Sequence, residues 1–299
     1  MVDIFHIFNH FSLTLEELSE PPLYLKEVII CAYMKNLPHR LQDGIIEIKH
    51  ALLSHEQWSY MAVQDIKLRY RRSMIGPWWV TISTGIMVMM LGFLWSHIFN
   101  QAIDTYLPFF AIGFVIWGWM SAQISDSAAG FFQFQGAIKQ IKLPFPIFIF
   151  RCNIRQGIIL LHNSLIIAAV LLLVGKGFSA IGLLAIPNLM LIQLNLTLLS
   201  IVITIFCTRF QDMTQVVNVL TQIIFFFTPI LWQVESIKNK AYLAEWNPIY
   251  HWIELIRAPL LGSLPNLSDY LWSGVSVVIL FILATYFLGR YRSRIALWL

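Results

Sequence analysis

The sequence contains little charge. Of its 299 residues only 12% are Lys, Arg, Asp or Glu, whereas 58% are hydrophobic. A soluble domain carries roughly 25% charged residues. The composition therefore excludes an ordinary soluble protein and predicts an integral membrane protein. The net charge of +4 does not indicate nucleic-acid binding, because the cations lie beside apolar runs.

Cysteine is also scarce. Cys31, Cys152 and Cys207 are widely separated and form no CxxC pair, so neither a disulfide framework nor a thiolate metal site is expected. His6 and His10 lie one helical turn apart, but no third ligand is near them, and we predict no metal site. The chain begins without a basic segment followed by an apolar core, so we expect the first span to direct membrane insertion.

A phosphate-binding loop is missing. The segment Gly175-Lys176-Gly177 lacks the upstream glycine and the following Ser or Thr of a P-loop, so we expect no ATP or Mg²⁺ on this chain. An intramembrane enzyme would need converging ionisable groups. His162 and Ser164 are two residues apart and therefore point to different faces of a helix.

Six segments have the roughly 20 apolar residues that a membrane-spanning helix needs. They lie at about 77–99, 107–131, 153–174, 180–206, 213–233 and 270–289. Most Lys and Arg residues flank one side, and this positive-inside bias predicts that both termini are cytoplasmic. We thus predict an all-α membrane protein with six spans.

Residues 247–262 are apolar but too short to span. Glu254 and Arg257 are three residues apart and can pair on one helical face, which lowers the cost of partial burial. An even number of crossings then requires this segment to re-enter from the outside. An amphipathic helix on the outer surface is the alternative.

A basic segment precedes the first span. It contains Lys67, Arg69, Arg71 and Arg72 and ends at Gly76-Pro77, after which the apolar run begins at Trp78. Upstream, Trp58, Met61 and Ile66 recur at helical spacing, which predicts an amphipathic helix on the membrane surface. An ordinary basic flank before a first span is the alternative.

Four regions follow from these assignments. Residues 1–54 contain prolines and no segment long enough to span, so they are predicted to be a cytoplasmic extension, either a docking appendage or a poorly ordered leader. The other regions are an amphipathic interface helix (55–76), a six-span membrane domain (77–294) and a tail (295–299).

The fifth apolar segment carries a polar stripe formed by Gln211, Gln215, Asn218 and Gln222. Amides facing lipid cost several kcal/mol unless they are paired, so the stripe faces protein or a hydrated path. Two functions remain open. The amides could join helices, or they could bond the hydroxyl groups of a sugar chain while rings such as Trp78 and Trp95 pack on its apolar faces. A membrane-interface belt also explains the tryptophans.

Several motifs occur together in a characteristic order. They are QDIKLRYRRSMIGPWW (64–79), GAIKQIKLPFPIFIFR (136–151), TRFQDMTQVV (208–217), and TPILWQVESI with WNPIYHWIELIR (228–237 and 246–257). Together they resemble the permease subunits of ABC transporters that export polysaccharide or polyol phosphate, namely the O-antigen, capsule and teichoic-acid permeases. The resemblance covers about residues 58–294.

The resemblance implies a homodimer in the bacterial inner membrane, paired with two cytoplasmic ATPase subunits that bind ATP and Mg²⁺. Its substrate would be a glycan linked to an undecaprenyl-pyrophosphate type of lipid, with O-antigen placed before capsule or teichoic acid, and membrane lipids would surround it. A drug or small-lipid export permease is one alternative. An intramembrane enzyme acting on polyprenyl-linked sugars is another.

The resemblance also implies roles for individual residues. Residues 58–72 would form the interface helix, and 234–262 an external re-entrant gate. The coupling contacts to the ATPase would be Gly136, Ile138, Lys139 and Lys142. The gate residues would be Glu235, Trp246, Glu254 and Arg257.

Overall fold

The computed structural model describes residues 39–76, 78–175, 177, 179–234 and 242–299. Over these residues the chain is built from α-helices with two short 3-10 helices and no strand, which confirms the all-α prediction for this part. The α-helices are α1 (His39–Leu53), α2 (His55–Arg69), α3 (Trp78–Ile98), α4 (Ile103–Ala128), α5 (Gln135–Gln140), α6 (Pro146–Leu173), α7 (Ala185–Arg209), α8 (Met213–Phe227), α9 (Tyr242–Glu245), α10 (Pro248–Leu260) and α11 (Leu267–Trp298).

Five described helices are long and apolar enough to cross a membrane, namely α3, α4, α6, α7 with its preceding 3-10 turn, and α11. The predicted fifth segment, 213–233, forms the 15-residue helix α8 instead. A helix of that length extends only about 22 Å, against a hydrocarbon core of about 30 Å. It ends at Phe227 because Thr228 precedes Pro229 and adopts the extended conformation that such a residue favours.

Two spans extend beyond their predicted boundaries. Helix α6 begins at Pro146 rather than at residue 153, and α11 continues to Trp298 rather than ending at residue 289. The predicted tail, 295–299, is therefore mostly helical. Hydropathy locates the apolar part of a span but not the polar turns that continue the helix beyond it. A proline suits the start of α6, where no N–H partner is needed.

Helix α4 is the central helix of the fold. In its apolar stretch 72% of the residues are buried, compared with 22% in α3 and in α11. Its side chains Val115 and Met120 belong to one core cluster with Ile167 of α6, Ile192 of α7 and Ile253 of α10. Helix α4 therefore packs against α6, α7 and α10 in one core.

Helices α10 and α11 begin with side-chain caps. The Asn247 side chain accepts a hydrogen bond from the N–H of Ile249, and Pro248 opens α10. Asn266 and Asp269 form a reciprocal capping box at the start of α11. Short α10 is thus separated from α11 by sequence signals, in agreement with the predicted short segment 247–262 before the last span.

Helix α1 packs against α11 through two glycines. A Cβ atom at Gly44 would overlap the Thr285 carbonyl, and one at Gly289 would overlap the carbonyl of Arg40. Glu47 lies 3.6 Å from Arg292 and accepts a hydrogen bond of 3.2 Å from the backbone N–H of Phe145. This part of the predicted extension is therefore docked on the membrane domain, while residues 1–38 lie outside the described residues.

We predict that Gly289→Ala destabilises the protein by about 1–3 kcal/mol, because the added methyl group has no space against α1. The matched control is Gly274→Ala in the same helix, where an added Cβ atom meets nothing within 4 Å. This control should be neutral or stabilising by roughly 0.5–1 kcal/mol, since alanine favours helix. Thermal unfolding of both purified variants in detergent measures the difference. Equal midpoints would contradict the packing of α1 on α11.

Candidate functional site

A groove of about 930 Å³ runs along α8 where it faces α4. Its polar lining consists of Ser121, Ser125, Gln215, Asn218, Thr221 and Gln222. Its aromatic lining consists of Phe114, Trp117, Phe225 and Phe226, and Gly118 leaves one wall without a side chain. The structure thus brings the predicted amides together with aromatic rings on one surface.

Hydrogen bonding distinguishes the members of the polar stripe. Asn218 accepts a hydrogen bond of 3.2 Å from the Ser125 hydroxyl of α4, so it joins two helices. Within the described part of the chain, the side chains of Gln215 and Gln222 make no hydrogen bond, and both are exposed in the groove. Two of the three amides that line the groove are therefore available to a ligand or to water. The fourth member of the stripe, Gln211, is exposed but does not line the groove.

The two tryptophans predicted to line a path lie elsewhere. Trp78 packs edge-on against His162, with ring centroids 5.6 Å apart. Trp95 stacks on Phe99 at 5.4 Å near the opposite end of α3. The tryptophan in the groove is Trp117, whose ring lies 5.9 Å from that of Phe225. Trp117 lies four residues before Ser121, so both are on one face of α4. This spacing is the sequence signal that identifies Trp117.

A network of charged residues connects α2, α4 and α6. Asp65 receives two hydrogen bonds from Arg151, one of them 2.7 Å from Nε, and lies 3.3 Å from Arg155. Arg155 is also 2.8 Å from Asp126, which accepts a 2.5 Å hydrogen bond from Gln156. The side chain of Arg155 is only 7% exposed, so its charge depends on these carboxylates. We call these four charged residues, together with Gln156, the charge network.

The charge network changes the interpretation of Arg151 and Arg155. By position in the sequence both belong to the cations that flank one side of the predicted spans, whereas the structure places them inside α6 and pairs them. The signal for this arrangement is the pair of acidic residues, Asp65 and Asp126, beside otherwise apolar segments. Local spacing does not reveal which arginine pairs with either aspartate, because the partners lie on different helices.

Part of the apolar face of α2, which the sequence predicts to lie on the membrane surface, contacts protein instead. Trp58 packs edge-on against Phe150 of α6 at 6.0 Å and donates a hydrogen bond to the Ala51 carbonyl, and Met61 joins the same cluster. Ile66 is half-buried. The apolar residues that α2 exposes are Tyr60, Val63 and Leu68. The exposed cations are Lys67 and Arg69 in its last turn and Arg71 and Arg72 just after it.

Helix α5 occupies the predicted coupling segment. Ile138 packs against the cluster that contains Phe131 and Leu288, which anchors the helix to the domain. Gly136, Lys139 and Lys142 are exposed, and Lys139 donates a 2.8 Å hydrogen bond to the Leu299 oxygen. One side of α5 is therefore fixed and the other is open.

The predicted gate residues Glu254 and Arg257 pair at 2.7 Å, as their spacing indicates. Arg257 is 1% exposed, donates to the Pro229 carbonyl at 2.9 Å, and lies over the ring of Phe109 at 4.0 Å. A Cβ atom at Gly113 would overlap the guanidinium group, so this glycine makes room for it. Arg257 thus connects α10, α4 and the turn after α8.

The other two predicted gate residues have different positions. Trp246 is 74% exposed and packs edge-on against Trp272 of α11 at 6.2 Å. Glu235 lies outside the described residues.

A buried histidine beside the predicted gate residues is absent from the sites that the sequence predicts. His251 is 2.6 Å from Asp269 through Nδ1 and 2.8 Å from the Glu245 carbonyl through Nε2, and it stacks on Trp272. Burial lowers the pKa of His251, but the hydrogen bonds to Asp269 and Glu245 outweigh it and raise the pKa above its ordinary value. Both partners are acceptors, so the protonated ring satisfies both.

The fold and the groove define a multi-pass helical membrane protein with a polar and aromatic surface along one helix. The model of the ABC-2 type transporter family matches residues 56–261. The chain therefore belongs to the ABC-2 type transporter family, which confirms the resemblance found in the motifs. Members of this family are transport components, and membership implies an ATPase partner.

Three relatives have the same description. An O-antigen export system permease protein RfbA of Klebsiella pneumoniae is 25% identical over 205 residues, which cover 67% of this chain and 79% of the relative. A second from Klebsiella pneumoniae is 24% identical over 188 residues, covering 62% of this chain and 73% of the relative. One from Myxococcus xanthus is 22% identical over 236 residues, covering 76% and 89%.

We predict that Arg155→Gln lowers the free energy of unfolding by about 3–5 kcal/mol, because Asp65 and Asp126 lose a buried cation. The control is Arg292→Gln, which breaks a pair in which the arginine side chain is 43% exposed. Loss of an exposed pair costs less than about 1 kcal/mol. Thermal unfolding of both variants in the same detergent measures the contrast. Similar losses in the two variants would contradict a structural role for the charge network.

Proposed function

We propose that the chain is the membrane subunit of an ATP-driven exporter that moves a lipid-linked polysaccharide from the cytoplasmic to the outer leaflet of a bacterial inner membrane. Membership of the ABC-2 type transporter family and the names of three relatives support this proposal. O-antigen is the first candidate substrate, and capsule and teichoic acid are the other candidates. ATP and Mg²⁺ would be bound by the partner ATPase.

The groove along α8 is the observation that carries the proposal. Gln215 and Gln222 offer donors and acceptors that no side chain of the described residues uses, and the exposed ring of Phe226 adds an aromatic face beside them. Amides can exchange hydrogen bonds with successive hydroxyl groups, while rings contact the apolar faces of sugars. A drug or small lipid with few hydroxyl groups would leave Gln215 and Gln222 without hydrogen-bond partners, so the amides favour a glycan.

A second copy of the chain would close the groove. The exposed apolar side chains of α8, including Val216, Leu220, Ile223 and Phe227, adjoin the polar stripe. Exposed apolar residues of a span must contact lipid or protein, whereas the neighbouring amides need hydration or partners. A homodimer in which two α8 helices face one another places the amides toward a shared path and the apolar residues at the contact.

We place six membrane crossings in each chain, with α8 and its following turn as the fifth. Both termini and α5 would then be cytoplasmic, and α9 and α10 would re-enter from the outside as the gate, with Glu254 and Arg257 paired within it. The anchoring of Arg257 to the Pro229 carbonyl supports this arrangement, since it stabilises irregular backbone after α8 by contact with protein.

Coupling to the ATPase would use α2 and α5. The exposed residues Lys139 and Lys142 lie beside the fixed position of Ile138, so a force applied to α5 would reach the domain core. The charge network would carry displacement of α2 into α4 and α6, because Asp65 cannot separate from Arg151 and Arg155 without leaving buried charge unpaired.

Replacing Gln215, Asn218 and Gln222 together with leucine tests the groove. We predict that export falls about tenfold or more, since each hydrogen bond lost to a glycan costs about 0.5–1.5 kcal/mol. Dimer yield should persist, because interhelical hydrogen bonds in membranes average only about 0.6 kcal/mol. The measurements are lipid-linked glycan retained inside cells and dimer recovered in detergent.

The matched control replaces Val275, Val278 and Ile282 of α11 with leucine. These residues are exposed, do not line the groove and lie outside the proposed contact between α8 helices. This variant should export normally. Normal dimer and normal export in the Gln215/Asn218/Gln222 variant would remove the polar stripe from the path.

A further inference from the structure

A separate cavity of about 210 Å³ lies between the last turns of α7 and the second half of α11. Its walls are apolar and aromatic, with Val202 and Phe206 on α7 and Phe287 on α11. An apolar cavity of about 150 Å³ is enough to bind benzene. The space beside α7 can therefore hold a segment of hydrocarbon chain.

One cation, Arg209, lines this cavity. Its guanidinium carbon lies 5.2 Å from the ring centroid of Phe210 and 4.9 Å from that of Trp298, so two aromatic faces hold it. Among the described residues, no carboxylate lies within ion-pair distance of Arg209, in contrast to Arg151, Arg155 and Arg257. Its N–H groups remain available for an anionic acceptor.

The position of Arg209 is consistent with the headgroup region of a membrane. It is the last residue of α7, and Trp298 is the last helical residue of α11. Tryptophan favours the level of lipid headgroups, and the cytoplasmic leaflet carries the anionic lipids that attract arginine. The negative end of the helix dipole also favours a cation here, but it does not account for the aromatic faces or for the apolar cavity.

We propose that Arg209 and the adjoining cavity bind one anionic phospholipid of the cytoplasmic leaflet. The lipid phosphate accepts hydrogen bonds from the guanidinium group, and part of one acyl chain fills the space beside Val202 and Phe206. Arginine suits this role because its planar donors match two phosphate oxygens at once. The inference rests on the orientation given under the proposed function, and it concerns a resident lipid rather than the exported glycan.

The test is native mass spectrometry of the full-length chain in a non-ionic detergent, titrated with dioleoyl-phosphatidylglycerol. We expect Arg209→Gln to weaken binding of the tightest lipid about fivefold. One Lys or Arg contributes about this much to the affinity for an anionic membrane surface. Arg209→Lys should retain most of the affinity. The matched control is Arg294→Gln, which removes an exposed cation of α11 that does not line the cavity.

A second variant tests the cavity. Val202→Trp fills the space and should weaken binding of both phosphatidylglycerol and dioleoylglycerol, which has the acyl chains but no phosphate, whereas Arg209→Gln should affect only the former. Gel filtration and thermal unfolding show that each variant is folded. The assay contains no glycan and no ATPase, so failure of the export proposal would leave its result unchanged.

Three results would overturn the proposal. Equal loss in Arg209→Gln and Arg294→Gln would show attraction to general surface charge. Displacement of the phospholipid by glycerol phosphate at equal concentration would identify a site for free phosphate. Unchanged phosphatidylglycerol binding in Arg209→Gln would show that this cation does not bind the lipid.

Discussion

The charge network between α2, α4 and α6 is the constraint on which the rest of this structure depends. Asp65 contacts Arg151 and Arg155, and Arg155 continues to Asp126. Each charge would be costly at such burial without its partners, so the three helices are held in one arrangement. Because α4 also carries Ser121 and Ser125, the network fixes one wall of the groove relative to α2.

The opposite end of α4 is held by a second buried arginine. Arg257 of α10 fits beside Gly113, lies over Phe109, and reaches the Pro229 carbonyl after α8. Helix α4 is therefore joined to the ATPase-facing side of the proposed transporter at one end and to the proposed gate at the other. The groove lies between these two attachments. A small movement of α4 would alter both attachments. It would thereby connect the ATPase-facing side with the gate in the proposed transporter.

Local patterns in the sequence predict much of this arrangement, and long-range contacts account for what they miss. The spacing of Gln215 and Gln222 places them on one helical face whatever surrounds the helix, so the groove could be anticipated. The pairing of Asp65 with Arg155 joins residues with no common local pattern. The docking of α1 depends on single glycines, Gly44 and Gly289, whose close contacts appear only when two distant helices are brought together.

Transport by the reconstituted chain tests the central claim most directly. The chain and its ATPase partner, placed together in proteoliposomes with a lipid-linked glycan on the outer face, should move the glycan inside in the presence of ATP and Mg²⁺. Vesicles with either protein alone should move none, and the recovered glycan should be chemically unchanged. Chemical conversion of the glycan by the chain alone, or equal transfer without the ATPase, would contradict the account.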